Sequence, residues 1–430
     1  MIFKKLISNA TTLLSGSVLA NIFNLISLTI LARSLDVKLF GYFSLFVVYS
    51  EIILRLFNTQ SFEIFIQQAN IFKKDKNFKN IAMLIKYFFA IDLITLSIGF
   101  ILAFALSKFF VLRFDIPMEY LITIRILCFS IIALIFNNIS MAIFRFYNYF
   151  KFQAFQTLIN SLLKLCFFVV VSYNFTSMEN FAIALVCAQG ISALFSIFLV
   201  NHILTKHLQS LFVIFLCKID TALFKKLHLI KTIIYHSLNA SIKTIPRGLD
   251  IVILGKFSSP EIVAFFKIAK DMSNIILKIL DSIYQAMYPE ISRLFSIGKV
   301  DLAKSFTLKI STFLSLIGIL GYIIFFFFGN FFIEVLFGAK YLNSYPMILI
   351  YLIGVTLQIA TLPLAPILFA KGLFKESFIN MLVANIISFP IMIILIYNFN
   401  GMGASASFVV FYIVWISLTL NTIINKRVFI

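Results

Sequence analysis

Charge is what this sequence has least of. Only 12% of its 430 residues are Asp, Glu, Lys or Arg, about half of what a soluble domain carries. Acidic residues are the scarcer sign, 17 against 36 Lys and Arg. Cysteine and histidine occur four times each and tryptophan once. Cys128, Cys166, Cys187 and Cys217 stand singly, which excludes a disulfide framework or a CxxC metal site and makes them small core hydrophobes. His202, His207, His228 and His236 are equally dispersed and read as solvated residues near a membrane surface, so no metal site is expected. Catalytic signatures are lacking as well. There is no G-x-S-x-G, P-loop, H-E-x-x-H or carboxylate pair in an external loop, so neither catalytic residues nor an ATP-driven pump is expected.

Apolar surface fills the space. Hydrophobic residues make up 61% of the chain and the mean hydropathy is +1.04, the balance of a polytopic membrane protein. On a template of about twenty mostly apolar residues, the chain reads as twelve spans. They lie near 11–32, 40–58, 81–106, 121–144, 153–173, 180–201, 233–255, 262–288, 306–328, 345–370, 376–397 and 403–425. The N-terminal MIFKKLISNATTLLSGSVLAN imitates a signal peptide, but its apolar run continues to Leu31 and reads as an uncleaved first span.

The formal charge of +19 would suggest nucleic acid in a soluble protein. Here the Lys and Arg are sorted by side instead. One set of connections and both termini hold 20 of them, and the alternating set holds 6. That bias places both termini in the cytoplasm. The connection 202–232 is basic and divides the chain into an N-terminal six-helix bundle, 1–201, and a C-terminal one, 233–430. Within it FKKLHLIK reads either as a helix lying on an anionic leaflet or as a solvated linker.

The halves repeat. An offset of 223 residues lays ILARSLDVKLFGYFSLFVVYSEIILRLF (30–57) on ILGKFSSPEIVAFFKIAKDMSNIILKIL (253–280), with seven of 28 positions identical. Arg33 falls on Lys256 and Arg55 on Lys278. Parallel repeats of this kind bind substrate between the halves in transporters, which predicts Arg55 and Lys278 at that interface.

Charges deep in the spans point the same way. At about 100° per residue, Lys267, Asp271, Asn274, Lys278, Asp281 and Gln285 share one face of span eight, with Lys270 beside it. Facing lipid, its five charges would cost roughly 2.5–3.5 kcal/mol each, enough to cancel the stability of an ordinary fold. Lys243, Arg247 and Asp250 likewise share a face in span seven, next to Pro246. Span five carries Gln153, Asn160 and Lys164, and span two the pair Glu51 and Arg55. Three of the acids have a local partner at hand: Arg247 for Asp250, Lys267 for Asp271, Arg55 for Glu51. Taken singly, static ion pairing explains them. As a set, Arg55, Lys164, Lys243, Arg247, Lys267, Lys270 and Lys278 outnumber Glu51, Asp250, Asp271 and Asp281. A basic, water-filled cavity for an anion is the economical reading. The same four acids are candidates for coupling to a proton or sodium ion, with membrane potential the remaining energy source.

These residues also carry a resemblance. LARSLDVKLFGYFSLF (31–46), LDIVILGKFSSPEIVAFFKIAKDMSNIILKILDSIYQAMYPEISRLFSIGK (249–299), FGAKYLNSYPMILI (337–350), LPLAPILFAKG (362–372) and NGMGASASF (400–408) resemble the polysaccharide-repeat-unit (O-antigen type) flippases. Those belong to the multidrug/oligosaccharidyl-lipid/polysaccharide exporter superfamily. RLFNTQSFEIFI, from Arg55, looks like a pattern of the lipid II flippases, in which that Arg lines the cavity. Those relatives usually carry fourteen spans rather than twelve, which favours the repeat-unit branch. The resemblance implies two bundles in a V that alternate between inward-open and outward-open states. Its implied cargo is an undecaprenyl-diphosphate-linked oligosaccharide, moved from the cytoplasmic to the periplasmic leaflet of the inner membrane. The diphosphate would pair with the basic residues while the prenyl tail stays in lipid. Membrane lipids and the polymerase and chain-length proteins of the same pathway are the implied partners, and nucleic acid is not. A multidrug and toxin extrusion antiporter shares the fold, but its cavity for cations should be acidic.

Overall fold

An apolar segment in a bilayer has to satisfy its own backbone, which leaves the helix as the form for runs of this kind. The computed structural model describes residues 2–59, 62–74, 78–174, 176–208 and 246–426 together with 233, 237 and 428; within helices the side chains of 2–15, Arg247, Lys278, Asp281 and some others lie outside the description. Every regular element among the described residues is helical. In the first part of the chain these are α1 (Ile2–Ser34), α2 (Val37–Phe57), α3 (Phe62–Lys74), α4 (Phe78–Arg113), α5 (Leu121–Cys128), α6 (Ser130–Phe146), α7 (Phe150–Asn174) and α8 (Met178–His207). The second part holds α9 (Pro246–Phe257), α10 (Pro260–Ser296), α11 (Val300–Phe337), α12 (Tyr345–Ala360), α13 (Leu364–Ala370) and α14 (Phe374–Asn425). Short 3-10 turns, Met118–Tyr120 and Ala339–Ser344, precede α5 and α12.

Nine stretches among the described residues are long and apolar enough to cross a membrane. One of them, α14, is two spans. Asn400 leaves the helical region (φ 50°, ψ −128°), and the chain doubles back so tightly that a Cβ on Gly403 would lie 1.9 Å from the Leu395 carbonyl oxygen. The charged α10 joins them by length, and α9 is the described part of the span expected at 233–255. The basic connection at 209–232 lies outside the described residues.

The structure corrects several details. The segment 59–80, read as a plain connection, contains α3, which buries Ile64, Phe65 and Ala69 against Leu84, Ile143 and Ile203. Phe62, Phe65, Ile66, Ala69 and Phe72 recur at helical spacing, but thirteen residues are too few to cross a bilayer. The spans expected at 121–144 and 345–370 each stand as one stretch able to cross a membrane, Met118–Phe146 and Ala339–Ala370, interrupted at Phe129 and after Ala360. Among the described cysteines Cys128 is buried and Cys166 and Cys187 are exposed, and Cys217 lies outside the described residues; a thiol is apolar enough to face acyl chains. His207 is not merely solvated: its ring stacks on Tyr147 at 4.4 Å.

The 223-residue offset returns in the element ends. α1 stops at Ser34 and α2 starts at Val37, while α9 stops at Phe257 and α10 starts at Pro260. The bonds closing these turns correspond one for one. Leu35 N–H donates to the Leu31 carbonyl (3.1 Å) and Ser258 to Leu254 (2.8 Å); Phe40 donates to Asp36 (2.9 Å) and Val263 to Ser259 (3.2 Å). After α4 and α11 the left-handed residues, Asp115 (φ 53°) and Gly338 (φ 95°), fall at the same offset. Correspondence is not complete: the break at Phe129 has its match at Leu352, inside α12, which runs on to Ala360. α2 and α3 are separate helices, whereas α10 runs unbroken through the matching residues.

Two compact units result, Met1–Leu35 with Phe46–Gly248, and Asp36–Leu45 with Leu249–Ile430. In the first, α1 lies along α7, α3 packs against α4 and α6, and α8 packs against α6 and α7. In the second, α10, α11 and α14 surround α12. Its aromatic centre is Tyr341, ringed by Phe40, Phe265 and Phe337 at 5.8, 6.2 and 6.3 Å.

Candidate functional site

The second unit holds a quartet of charges. Its two helices form a hairpin about the turn at Ser258 and Ser259, which Pro260 follows as a residue already set for the first helical turn. With a rise of about 1.5 Å per residue, Asp250 on α9 and Lys270 on α10 come to similar heights. There Lys270 Nζ donates to both carboxylate oxygens of Asp250, at 2.7 and 2.6 Å. Lys270 also lies 6.0 Å above the Phe266 ring. The two side chains keep only 10% and 15% of their surface. One turn before Asp271, Lys267 donates to it at 3.0 Å, and this pair is more open, at 17% and 26%.

The local partner read for Asp271 is therefore the one observed. Asp250 is met by Lys270, twenty residues on, while the Arg247 side chain read as its local partner lies outside the description. Arg247 lies in α9 and Lys278 and Asp281 in α10, with side chains outside the description, and Lys243 lies wholly outside the described residues. The four described charges of this cluster sum to zero.

In the first unit Arg55 donates to Glu51 at 2.9 Å across one turn of α2. Lys164 on α7 donates to the Asn24 side-chain oxygen of α1 at 3.1 Å, and its Nζ lies 5.7 Å over the Phe168 ring. An amide oxygen holds that ammonium in place without neutralising it. Asn24 in turn donates to Ser161 at 3.0 Å. Further amides join α7 to α6 and α6 to the end of α2: Gln156 donates to Asn137 at 2.8 Å, Asn138 to Asn58 at 3.0 Å, and Arg145 to Gln153 at 3.2 Å.

Sequence reasoning passed over Asp92. It sits mid-way along α4, 1% exposed, and accepts from the Thr59 hydroxyl at 2.5 Å. Ser237 donates to the Thr59 carbonyl at 3.0 Å. The signal was available, since an Asp inside YFFAIDLITLSIGF is as anomalous as one on α10. What it lacked was a neighbouring charge to make a pattern. Asp92→Ala is expected to cost about 1–3 kcal/mol, because a buried hydroxyl loses its acceptor. Asp92→Asn, which keeps an acceptor oxygen, should cost clearly less. Thermal melting of both variants checks this, and equal damage by Asn would show that the negative charge itself is required.

The model of a family described as polysaccharide biosynthesis protein matches residues 30–346. None of the curated proteins matches the sequence. Among solved structures, the chain is similar to an inward-facing multidrug-resistance transporter of the MATE family, in the MOP superfamily. The TM-score is 0.75 at 12% identity, covering 95% of this chain and 94% of that one. It is similar to the lipid II flippase MurJ in an inward closed conformation, with TM-score 0.75 at 13% identity over 96% of this chain and 88% of the other. A third likeness is to a MOP-superfamily transporter from Pyrococcus furiosus described as having a binding pocket of reverse polarity, with TM-score 0.64 at 11% identity over 99% and 95%. At such identities these structures speak for the fold alone.

Proposed function

The chain belongs to the polysaccharide biosynthesis protein family, and from that premise we propose that it is a flippase for an undecaprenyl-diphosphate-linked oligosaccharide. It carries this lipid from the cytoplasmic to the periplasmic leaflet of the bacterial inner membrane, with both termini in the cytoplasm. The observation that carries the reading is the charged face of α9 and α10, kept inside an otherwise apolar membrane protein. A diphosphate cannot enter a hydrocarbon layer about 30 Å thick without countercharge, and Lys and Arg supply it.

Lys267 is the more open of the two paired lysines, so a phosphate oxygen can take the place of the Asp271 carboxylate there. Lys270, held by both oxygens of Asp250, serves as a strut. Arg247, Lys278, Lys243, Arg55 and Lys164 complete the set that meets the anion. Asp271, relieved of its lysine by substrate, would take up a proton or a sodium ion and so couple an ion to the cycle. No bond is made or broken; the protein relocates its cargo and is not an enzyme. Polymerase and chain-length proteins would receive the translocated unit.

Neutralising Lys278, Arg247 or Arg55 to Ala is expected to reduce glycan export by about tenfold or more, since stranding one partner of a buried charge pair costs about 2–5 kcal/mol. Membrane insertion should be unaffected. Lys278→Arg should retain more export than Lys278→Glu. The measurement is flipping of the lipid-linked glycan in proteoliposomes, with a cationic dye as second cargo. Normal glycan flipping by all three variants sinks the cationic site. Dye transport without glycan transport would make the protein a multidrug extruder instead.

A further inference from the structure

α7 carries Gln153, Gln156, Thr157, Asn160, Ser161 and Lys164 in a stretch, 152–171, that is otherwise apolar. At about 100° per residue they form one stripe, centred roughly 160° from the exposed apolar ridge of the same helix. That ridge is Phe155, Leu162 and Val170, exposed by 48%, 39% and 52%. The ridge faces lipid, and the stripe is turned away from it, towards Asn24 of α1 and Asn137 of α6.

The stripe is rich in amides. A carboxamide donates from nitrogen and accepts at oxygen within one small group, as a sugar hydroxyl does from its single oxygen. A guanidinium or ammonium only donates, and a carboxylate only accepts. A surface of amides beside one ammonium is thus poorly suited to a metal or a cationic drug and well suited to a neutral, hydroxyl-rich ligand. One group is left over: Asn160 Oδ1 is shut off from solvent and accepts no hydrogen bond among the described residues. A buried acceptor without a donor is costly and calls for an explanation.

We propose that Gln156, Asn160 and Ser161 of α7, with Asn24 and Asn137, form the site that recognises the sugar hydroxyls of the lipid-linked glycan. When the glycan enters, the Asn160 side chain turns to meet it and its Oδ1 accepts a hydrogen bond from a sugar hydroxyl. This rests on the flippase reading and deepens it: the diphosphate goes to the cations and the sugars to the amides.

The full-length protein in nanodiscs is titrated with two probes. One is synthetic undecaprenyl diphosphate without sugar; the other is the polyprenyl-diphosphate-linked glycan pool extracted from the cell of origin. Wild type is expected to bind the glycan-bearing lipid about tenfold more tightly or better, the worth of one to two net hydrogen bonds. Gln156→Ala and Asn160→Leu should each lower that preference to about threefold or less while the affinity for the bare lipid stays unchanged. Asn160→Leu should also keep or raise the melting temperature, because it removes a polar atom that has no partner. Loss of preference with undiminished stability is a combination that a packing role does not produce. An unchanged preference in both variants, or an equal loss for both probes, overturns the proposal. If wild type binds both probes alike, the sugar site fails and the flippase reading stands; if it binds neither, the flippase reading itself fails.

Discussion

Lys270→Met is expected to destabilise the second unit by about 3–5 kcal/mol, and adding Asp250→Leu should recover most of that loss. The asymmetry follows from burial. In the single variant the Asp250 carboxylate keeps its place between α9 and α10 but loses the ammonium that contacts both its oxygens. A buried carboxylate deprived of that ammonium either remains charged at high cost or takes a proton. In the double variant both charges are gone, and apolar side chains of similar size fill the space. The single tryptophan of the chain, Trp415, is 9% exposed in α14 of the same unit and reports its unfolding by fluorescence. A double variant that melts as early as Lys270→Met would show that the pair does something its removal cannot mimic. If the double variant is stable yet fails to export glycan, Lys270 belongs with the anion-binding cations and not with the scaffold.

The second large effect is expected at Gly41. A Cβ there would lie 1.9 Å from the Pro260 carbonyl oxygen and 2.6 Å from its carbon. Overpacking against side chains commonly costs about 1–3 kcal/mol, because rotamers give way. A backbone carbonyl at the start of α10 has no rotamer to change, so Gly41→Ala should exceed that range and depress the yield of folded protein. Gly255 provides the internal comparison. Its added Cβ would meet only the end of the Leu45 side chain, at 2.4 Å, which can rotate away, so Gly255→Ala should melt closer to wild type. Both measurements use the Trp415 signal, and a Gly41→Ala protein that melts with wild type would show that the helices separate at little cost.

Much of this molecule was legible before any coordinates. The apolar runs placed most of the helices, because a bilayer accepts little else. The stripe on α10 was legible because 3.6-residue periodicity gathers Lys267 and Asp271 on one face whatever the helix packs against. The repeat was legible from two basic coincidences, Arg33 with Lys256 and Arg55 with Lys278, and the turn bonds at the same offset support it. α3 was hidden because amphipathic spacing in thirteen residues is overshadowed by the four lysines at 73–79 that mark a connection. Asp92 was hidden because a single charge makes no pattern.

What the chain determined by itself is therefore everything governed by local period and by the cost of charge in hydrocarbon: an all-helical membrane protein, built twice over, with its anomalous charges on definable helix faces. Only the tertiary structure decided who meets whom. Local spacing accounts for Lys267 beside Asp271, but it takes the α9–α10 hairpin to bring Lys270 to Asp250, and the interior of the first unit joins Asn24 to Lys164 and Thr59 to Asp92. Such pairings depend on how helices tens of residues apart are brought level with one another, by turns at Ser258 or close approaches at Gly41. Helical period alone holds no information about them.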